Sequence, residues 1–146
     1  MNIIGAGLAG SEAALQLAQR GVHVRLFEMR PETETDVHRG GDCAELVCSN
    51  SLKSTKPESA AGMLKAELAA LGSQLIAAAG RSRVDAGGAL AVDRDEFSAD
   101  VTSMERGKQR PVQKQEHECY QNIADRPGKR RDGHAALRVL EAVHIH

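Results

Sequence analysis

The residues of this 146-residue sequence whose types and spacing suit chemistry fall at three places. The first is Gly5-Ala6-Gly7-Leu8-Ala9-Gly10, three glycines spaced G-x-G-x-x-G, preceded by Ile3-Ile4 and followed at once by the helical run Ser11, Glu12, Ala13, Ala14 and Leu17. A strand, a tight turn and a helix joined in this way suit a dinucleotide. Gly5 permits the turn, Gly7 lets the backbone approach a pyrophosphate, and Gly10 lets the helix pack close to the strand. The N–H groups around Leu8 and Ala9, with the positive end of the helix, then face the phosphates. The spacing alone is weak evidence, and the order of elements around it strengthens it.

The second place is Glu28. It closes Val22-His23-Val24-Arg25-Leu26-Phe27-Glu28, an alternating strand pattern, eighteen residues beyond Gly10. A dinucleotide-binding βαβ unit puts there the carboxylate that accepts hydrogen bonds from the adenosine ribose. The competing reading is a solvated strand-end carboxylate. The third place is Ala44-Glu45-Leu46-Val47-Cys48-Ser49-Asn50-Ser51-Leu52. A cysteine followed by three small hydrogen-bonding residues, at the mouth of an expected helix, can expose a thiol beside polar backbone groups. Spacing by itself favours the plainer alternative, a small buried cysteine packed behind a loop. Asp93 is read either as the N-cap of a helix beginning Asp93-Arg94-Asp95-Glu96-Phe97 or as a ligand contact.

The elements that must hold these residues follow from periodicity. A short strand ends at Ile4, and the first helix runs from about Leu8 to Arg20, with Ala13, Ala14, Leu17 and Ala18 toward a sheet and Gly21 as its C-terminal cap. The strand to Glu28 is expected to be edge-like, with His23 and Arg25 on its polar face. Met29 to Gly41 reads as a polar loop in which His38 is a surface residue. Residues 59–79 have a helical period whose stripe of Leu64, Leu68, Leu71 and Leu75 is expected to be core, broken near Gly72-Ser73. Ala86 to Asp93 reads as an extended segment. The fold class is therefore α/β, built on a parallel Rossmann-type βαβ unit.

After about Ser103 the composition changes. Residues 104–146 hold nine Lys or Arg, six Asp or Glu and four of the six histidines, so the tail is basic while residues 1–103 are acidic. No strand alternates there, and a short helix within residues 135–144 is the one regular element expected. We therefore divide the chain into residues 1–103, the N-terminal part of a dinucleotide-binding domain, and residues 104–146, an irregular, divergent tail that is either out of frame or disordered. His117, Cys119, His134, His144 and His146 match no standard metal-ligand spacing, and no metal site is expected. Lys129-Arg130-Arg131 reads as a solvated charge run, with an RNA contact as the alternative.

The totals exclude more than they select. A formal net charge of −1 gives no overall field to draw in nucleic acid, and with Phe27, Phe97 and Tyr120 the whole aromatic set there is no stacking platform for single strands. Three cysteines without paired spacing fit a reducing compartment. The start carries no signal-peptide pattern and no window approaches a membrane span, so a cytoplasmic protein is expected.

Four segments taken together carry a more specific resemblance: Ile4-Gly5-Ala6-Gly7-Leu8-Ala9-Gly10-Ser11-Glu12-Ala13-Ala14, Phe27-Glu28-Met29-Arg30-Pro31, Ala44 to Leu52, and Gly87-Gly88-Ala89-Leu90-Ala91-Val92-Asp93-Arg94. Over residues 1 to about 103 the sequence resembles the N-terminal part of the folate- and FAD-dependent tRNA (uracil-5-)-methyltransferases, the TrmFO family, relatives of the GidA-type flavoproteins. The resemblance implies an enzyme that takes a one-carbon unit from methylenetetrahydrofolate, uses FAD and a reduced nicotinamide cofactor, NAD(P)H, and methylates carbon 5 of a T-loop uridine in tRNA. By the same resemblance Gly5, Gly7, Leu8, Ala9, Gly10 and Glu28 bind the ADP half of FAD. Ser49, Asn50 and Ser51 line a loop near the flavin, with Asp93 and Arg94 in a further flavin-side segment. Cys48 becomes the catalytic cysteine, which reverses the packing reading. Family members are several times longer, so the sequence here is expected to leave strand edges and helix faces uncovered and to give no methyl transfer alone. Two alternatives are a generic FAD- or NAD-dependent oxidoreductase fragment and a non-catalytic module whose basic tail binds RNA or protein.

Overall fold

A computed structural model describes residues 1–33, 35–106 and 138–142. The chain builds β1 (Asn2–Ile4), α1 (Leu8–Gln19), β2 (Val24–Glu28), β3 (Ser51–Ser54), α2 (Ala60–Ala70), α3 (Gln74–Arg81), β4 (Arg83–Val84), β5 (Ala89–Val92), α4 (Arg94–Arg106) and β6 (Arg138–Ala142). One three-stranded sheet has the order β1-β2-β6 and a second the order β3-β5-β4. β1 and β2 are parallel, with Ile3 opposite Leu26 and Ile4 opposite Phe27, so β1-α1-β2 is the expected parallel βαβ unit.

Local chemistry sets the ends of α1. Its last turn closes as a Schellman motif: Gly21, at φ +75°, donates its N–H to the Ala18 carbonyl (3.0 Å), and Val22 donates to that of Leu17 (3.0 Å). Val22 and Leu17 are the hydrophobic pair that accompanies the motif, and both pack against the core. The buried face of α1 is Ser11, Ala14, Leu15 and Ala18. Leu15 thus takes the place expected of Ala13, which is exposed.

α3 is held to α1 by a side chain rather than by apolar contact alone. The Glu12 carboxylate accepts from the Ser73 hydroxyl (2.9 Å), the Gln74 N–H (3.2 Å) and the Leu75 N–H (3.0 Å), so an acid on α1 serves the positive end of α3. Burial pushes the Glu12 carboxyl up. The bonds from Leu75, Gln16, Ser73 and Gln74 outweigh it, leaving the group below its ordinary value. The core gathers α1, β2, α3, β5 and α4 around Leu15, Leu26, Leu75, Val92, Phe97 and Val101.

Four expectations are corrected. The 59–79 segment breaks where expected, into two helices on either side of Leu71–Ser73, but its stripe is not core: Leu64 and Leu71 are 55% and 71% exposed, and of the four leucines Leu75 alone is buried. Residues sharing a helical face need a second element to cover it, and α2 packs on α3 and β3. Cys48 leads into strand β3, not a helix, and the thiol is exposed, which overturns the buried-cysteine reading. β2 is central in its sheet, with β6 paired antiparallel on its far side from Val24 opposite Ala142 to Glu28 opposite Arg138. That strand lies where a helix within residues 135–144 was expected. Lys129-Arg130-Arg131, His117, Cys119, His134, His144 and His146 lie outside the described residues.

Candidate functional site

The glycine turn is built by close approach of backbone to backbone. Gly5, at φ +92°, donates its N–H to the Phe27 carbonyl (2.7 Å), locking the end of β1 to β2. A Cβ on Gly10 would lie 1.8 Å from the Gly5 carbonyl oxygen, so only glycine lets α1 start this close to the strand it follows. A Cβ on Gly7 would meet nothing within 4 Å. The glycines thus divide the work: Gly10 serves packing, and Gly7 leaves an open approach to the backbone.

The first intrahelical bond of α1 runs from the Ser11 N–H to the Gly7 carbonyl (2.9 Å), so the N–H groups of Leu8, Ala9 and Gly10 precede the ladder. Gly7, the N-cap, offers no side chain to cap them, and the first turn contains no acidic residue. Leu8 and Ala9 are exposed. This end of α1 therefore presents donors and the positive pole of the helix to whatever approaches.

Glu28 reaches into the same turn. Its Oε2 accepts from the Ala6 N–H at 2.7 Å, and its Oε1 accepts from the Arg30 N–H (3.1 Å) and from Arg30 Nε (2.9 Å). Burial raises the Glu28 carboxyl, but the bonds from Arg30 and Ala6 and the guanidinium charge outweigh it, so the group lies below its ordinary value. A carboxylate has about four acceptor positions, and these three bonds leave one for a hydroxyl donor. The Ala6 carbonyl takes the Ser11 hydroxyl (3.1 Å) and the Ala44 N–H (2.8 Å), which brings the loop leading to Cys48 directly onto the turn.

Beyond Ala44 the chain passes Cys48 and enters β3. Ser49 Oγ accepts from the Ser51 N–H (3.0 Å) and Ser51 Oγ from the Lys53 N–H (3.1 Å), local turns that lead the chain into the strand. The Asn50 carbonyl accepts from the Val92 N–H (2.9 Å), placing this segment beside Asp93. Asp93 Oδ1 accepts from the N–H groups of Asp95 (3.1 Å) and Glu96 (3.0 Å) and so caps α4, while Arg94 donates to the Leu46 carbonyl (3.3 Å). Asn50, Asp93 and Arg94 line an open cleft of about 450 Å³ together with Arg39, Asp42 and Glu45. The structure thus forms two groupings. Gly5 to Gly10 and Glu28 make one, Asn50 and Asp93 share the cleft, and the Ala44–Leu46 loop joins them.

Sequence reasoning passed over Arg30, Glu45 and the Ala6 N–H. The available signal was an arginine two residues past the strand-end acid, but its partners at 40–45 are set by the fold.

A family model described as "Glucose inhibited division protein A" matches residues 1–118. The chain belongs to the GidA family. The match runs past residue 103, the boundary drawn from composition. Among curated proteins, this GidA-family chain is similar to the methylenetetrahydrofolate--tRNA-(uracil-5-)-methyltransferases TrmFO of three bacteria. It is 56% identical to that of Lactobacillus helveticus over 107 residues, 73% of this chain and 26% of the relative. With the Bacillus subtilis protein identity is 60% over 103 residues, 70% and 24% of the two chains. With the Thermotoga maritima protein it is 57% over 104 residues, 71% and 24%. The chain thus spans about a quarter of the length of these relatives. Among the described residues no helix is long and apolar enough to cross a membrane.

Proposed function

We propose that this chain forms the FAD-binding N-terminal part of a folate-dependent tRNA (uracil-5-)-methyltransferase acting in the cytoplasm. What supports the reading is the Glu28 carboxylate bonded at 2.7 Å to the Ala6 N–H inside the glycine turn, which sets a hydroxyl acceptor beside a helix end that presents bare N–H groups. The site fits the ADP half of a dinucleotide: the approach over Gly7 is open, and Glu28 retains an acceptor position for a ribose hydroxyl. Gly5, Gly7, Leu8, Ala9 and Gly10 would bind the pyrophosphate and Glu28 the ribose.

Bound FAD would supply redox chemistry and the relay of a one-carbon unit from methylenetetrahydrofolate, with NAD(P)H as reductant. In the same reading the exposed Cys48 is the nucleophile on the uridine side, because a uracil ring becomes nucleophilic at carbon 5 only once a base or nucleophile acts on it. Asn50 and Asp93 would line the flavin-side wall of the cleft, with Ser49 and Ser51 flanking Asn50 in the loop near the flavin. tRNA is the proposed substrate.

Flavin-fluorescence titration of the purified chain with FAD tests the nucleotide reading. The expected result is saturable binding that Glu28→Ala weakens about tenfold or more, the loss expected when a charged acceptor is removed. Unchanged affinity in the variant would overturn the role of Glu28.

A further inference from the structure

We propose that Arg30 is a positioning residue: it holds the ribose-facing Glu28 carboxylate in place and ties nucleotide occupancy to the loop that carries Cys48. The inference rests on the nucleotide reading above. Arg30 is 3% exposed, and its guanidinium joins groups far apart in sequence. Nε donates to Glu28 Oε1 (2.9 Å), one terminal nitrogen to Glu45 Oε2 (2.8 Å) and the Gly40 carbonyl (3.4 Å), and the other to the Asp42 carbonyl (3.1 Å). A guanidinium has five N–H donors in a fixed fork, and this environment uses four of them. A lysine ammonium at the end of a flexible stem cannot reproduce that fork.

Glu45 closes the other side. Its carboxylate accepts from the Arg39 N–H (2.6 Å) and the Gly40 N–H (3.3 Å) while it pairs with Arg30, so residues 39–45 wrap the guanidinium. One buried cation is thus shared by Glu28 on the nucleotide side and Glu45 on the loop side. Shifting the loop unpairs a buried charge, which is costly, and shifting Glu28 disturbs the same cation. Ala44, one residue before Glu45, is bonded to the glycine turn, and Cys48 lies three residues beyond. A hydroxyl donating to Glu28 would stiffen the whole set.

The test uses the full chain with FAD as probe, measuring affinity by flavin fluorescence and backbone hydrogen exchange with and without FAD. Arg30→Ala risks misfolding, so Glu45→Gln is the principal variant; it is close in shape and makes no contact with Glu28. FAD is expected to slow exchange at Arg39, Gly40 and Ala44 in the unaltered chain. Glu45→Gln is expected to lose that protection and weaken FAD about tenfold, with its far-UV spectrum unchanged, and Arg30→Lys to behave likewise. Glu28→Gln combined with Glu45→Gln is expected to lose no more affinity than the worse single variant, because Glu45 acts on the nucleotide through Arg30 and Glu28 and costs nothing further once Glu28 is changed. Affinity of Glu45→Gln within twofold of the unaltered chain, or losses that multiply in the double variant, would overturn the proposal. Absence of FAD binding by the unaltered chain would overturn the nucleotide reading and this inference with it, and is seen before any variant is compared.

Discussion

Gly7 and Gly10 stand three residues apart in one turn, and their replacement by alanine should have opposite consequences. A Cβ on Gly10 falls 1.8 Å from the Gly5 carbonyl oxygen, against the 3.0 Å below which real Cβ contacts essentially never fall. The start of α1 must therefore retreat from β1 by about 1.2 Å, the difference of the two. α1 is packed through Ala14, Leu15 and Ala18, and forced overpacking of this kind costs about 1–3 kcal/mol. The better helix propensity of alanine returns under about 1 kcal/mol. With about 4–8 °C per kcal/mol for a domain of this size, Gly10→Ala should melt about 5–15 °C lower. Gly7, at φ −71° with nothing near its Cβ, admits alanine without strain. The poorer N-cap of alanine and its smaller unfolded-state entropy nearly cancel, each on the order of 0.5–1 kcal/mol. Its methyl would instead stand in the open approach to the backbone. Thermal melts by circular dichroism and FAD titration, run on both variants, are the assays. Gly7→Ala should melt within a few degrees of the unaltered chain and lose FAD affinity by tenfold or more. A Gly7→Ala protein that binds FAD normally, or a Gly10→Ala protein as stable as the unaltered chain, would refute the division of roles.

Other expectations concern charge and packing. Glu12 and Glu28 both lie below the ordinary value of 4.5, so their stabilisation is present above that pH and is lost as pH falls through their folded-state values. Melting temperature should drop steeply below about pH 4.5, and Glu12→Gln should flatten that slope. Glu105 behaves in the opposite sense. It is 1% exposed, neither carboxyl oxygen has a hydrogen-bond partner among the described residues, and burial pushes it up to about 8 from 4.5. The folded state then holds a proton that the unfolded state releases, so stability falls as pH rises from about 4.5 to 8, by on the order of 3 kcal/mol. Glu105→Gln should remove that fall, and urea titrations at pH 5 and pH 8 would measure it. Leu75→Ala should cost about 2–5 kcal/mol in urea unfolding, whereas Leu64→Ala on the exposed face of α2 should stay within about 0.5 kcal/mol.

Particular residues show what could be read from the chain before its fold was known. The run from Ile3 through Gly10 to the Gly21 cap, the strand closing on Glu28 and the Asp93 cap are all local, decided by a few neighbouring residues, and each was legible. The leucines of α2 were not, because periodicity states which residues share a face and says nothing of whether another element covers it. Ser49, Asn50 and Ser51 are residue types common to helix starts and to turns, and the Ser49 and Ser51 hydroxyls here close turns into a strand. β6 gains its strand character from pairing with β2, which its own sequence does not announce. The Arg30 cluster joins residues 28, 40, 42 and 45, so the residue was visible while its partners were not.

The glycine turn and Glu28 together make the proposed site for the ADP half of FAD. Titrating the purified chain with FAD by flavin fluorescence, then displacing it with ADP and separately with riboflavin, tests this most directly. Saturable binding that ADP displaces and riboflavin does not is the result predicted. No saturable binding, or displacement by riboflavin alone, would contradict it.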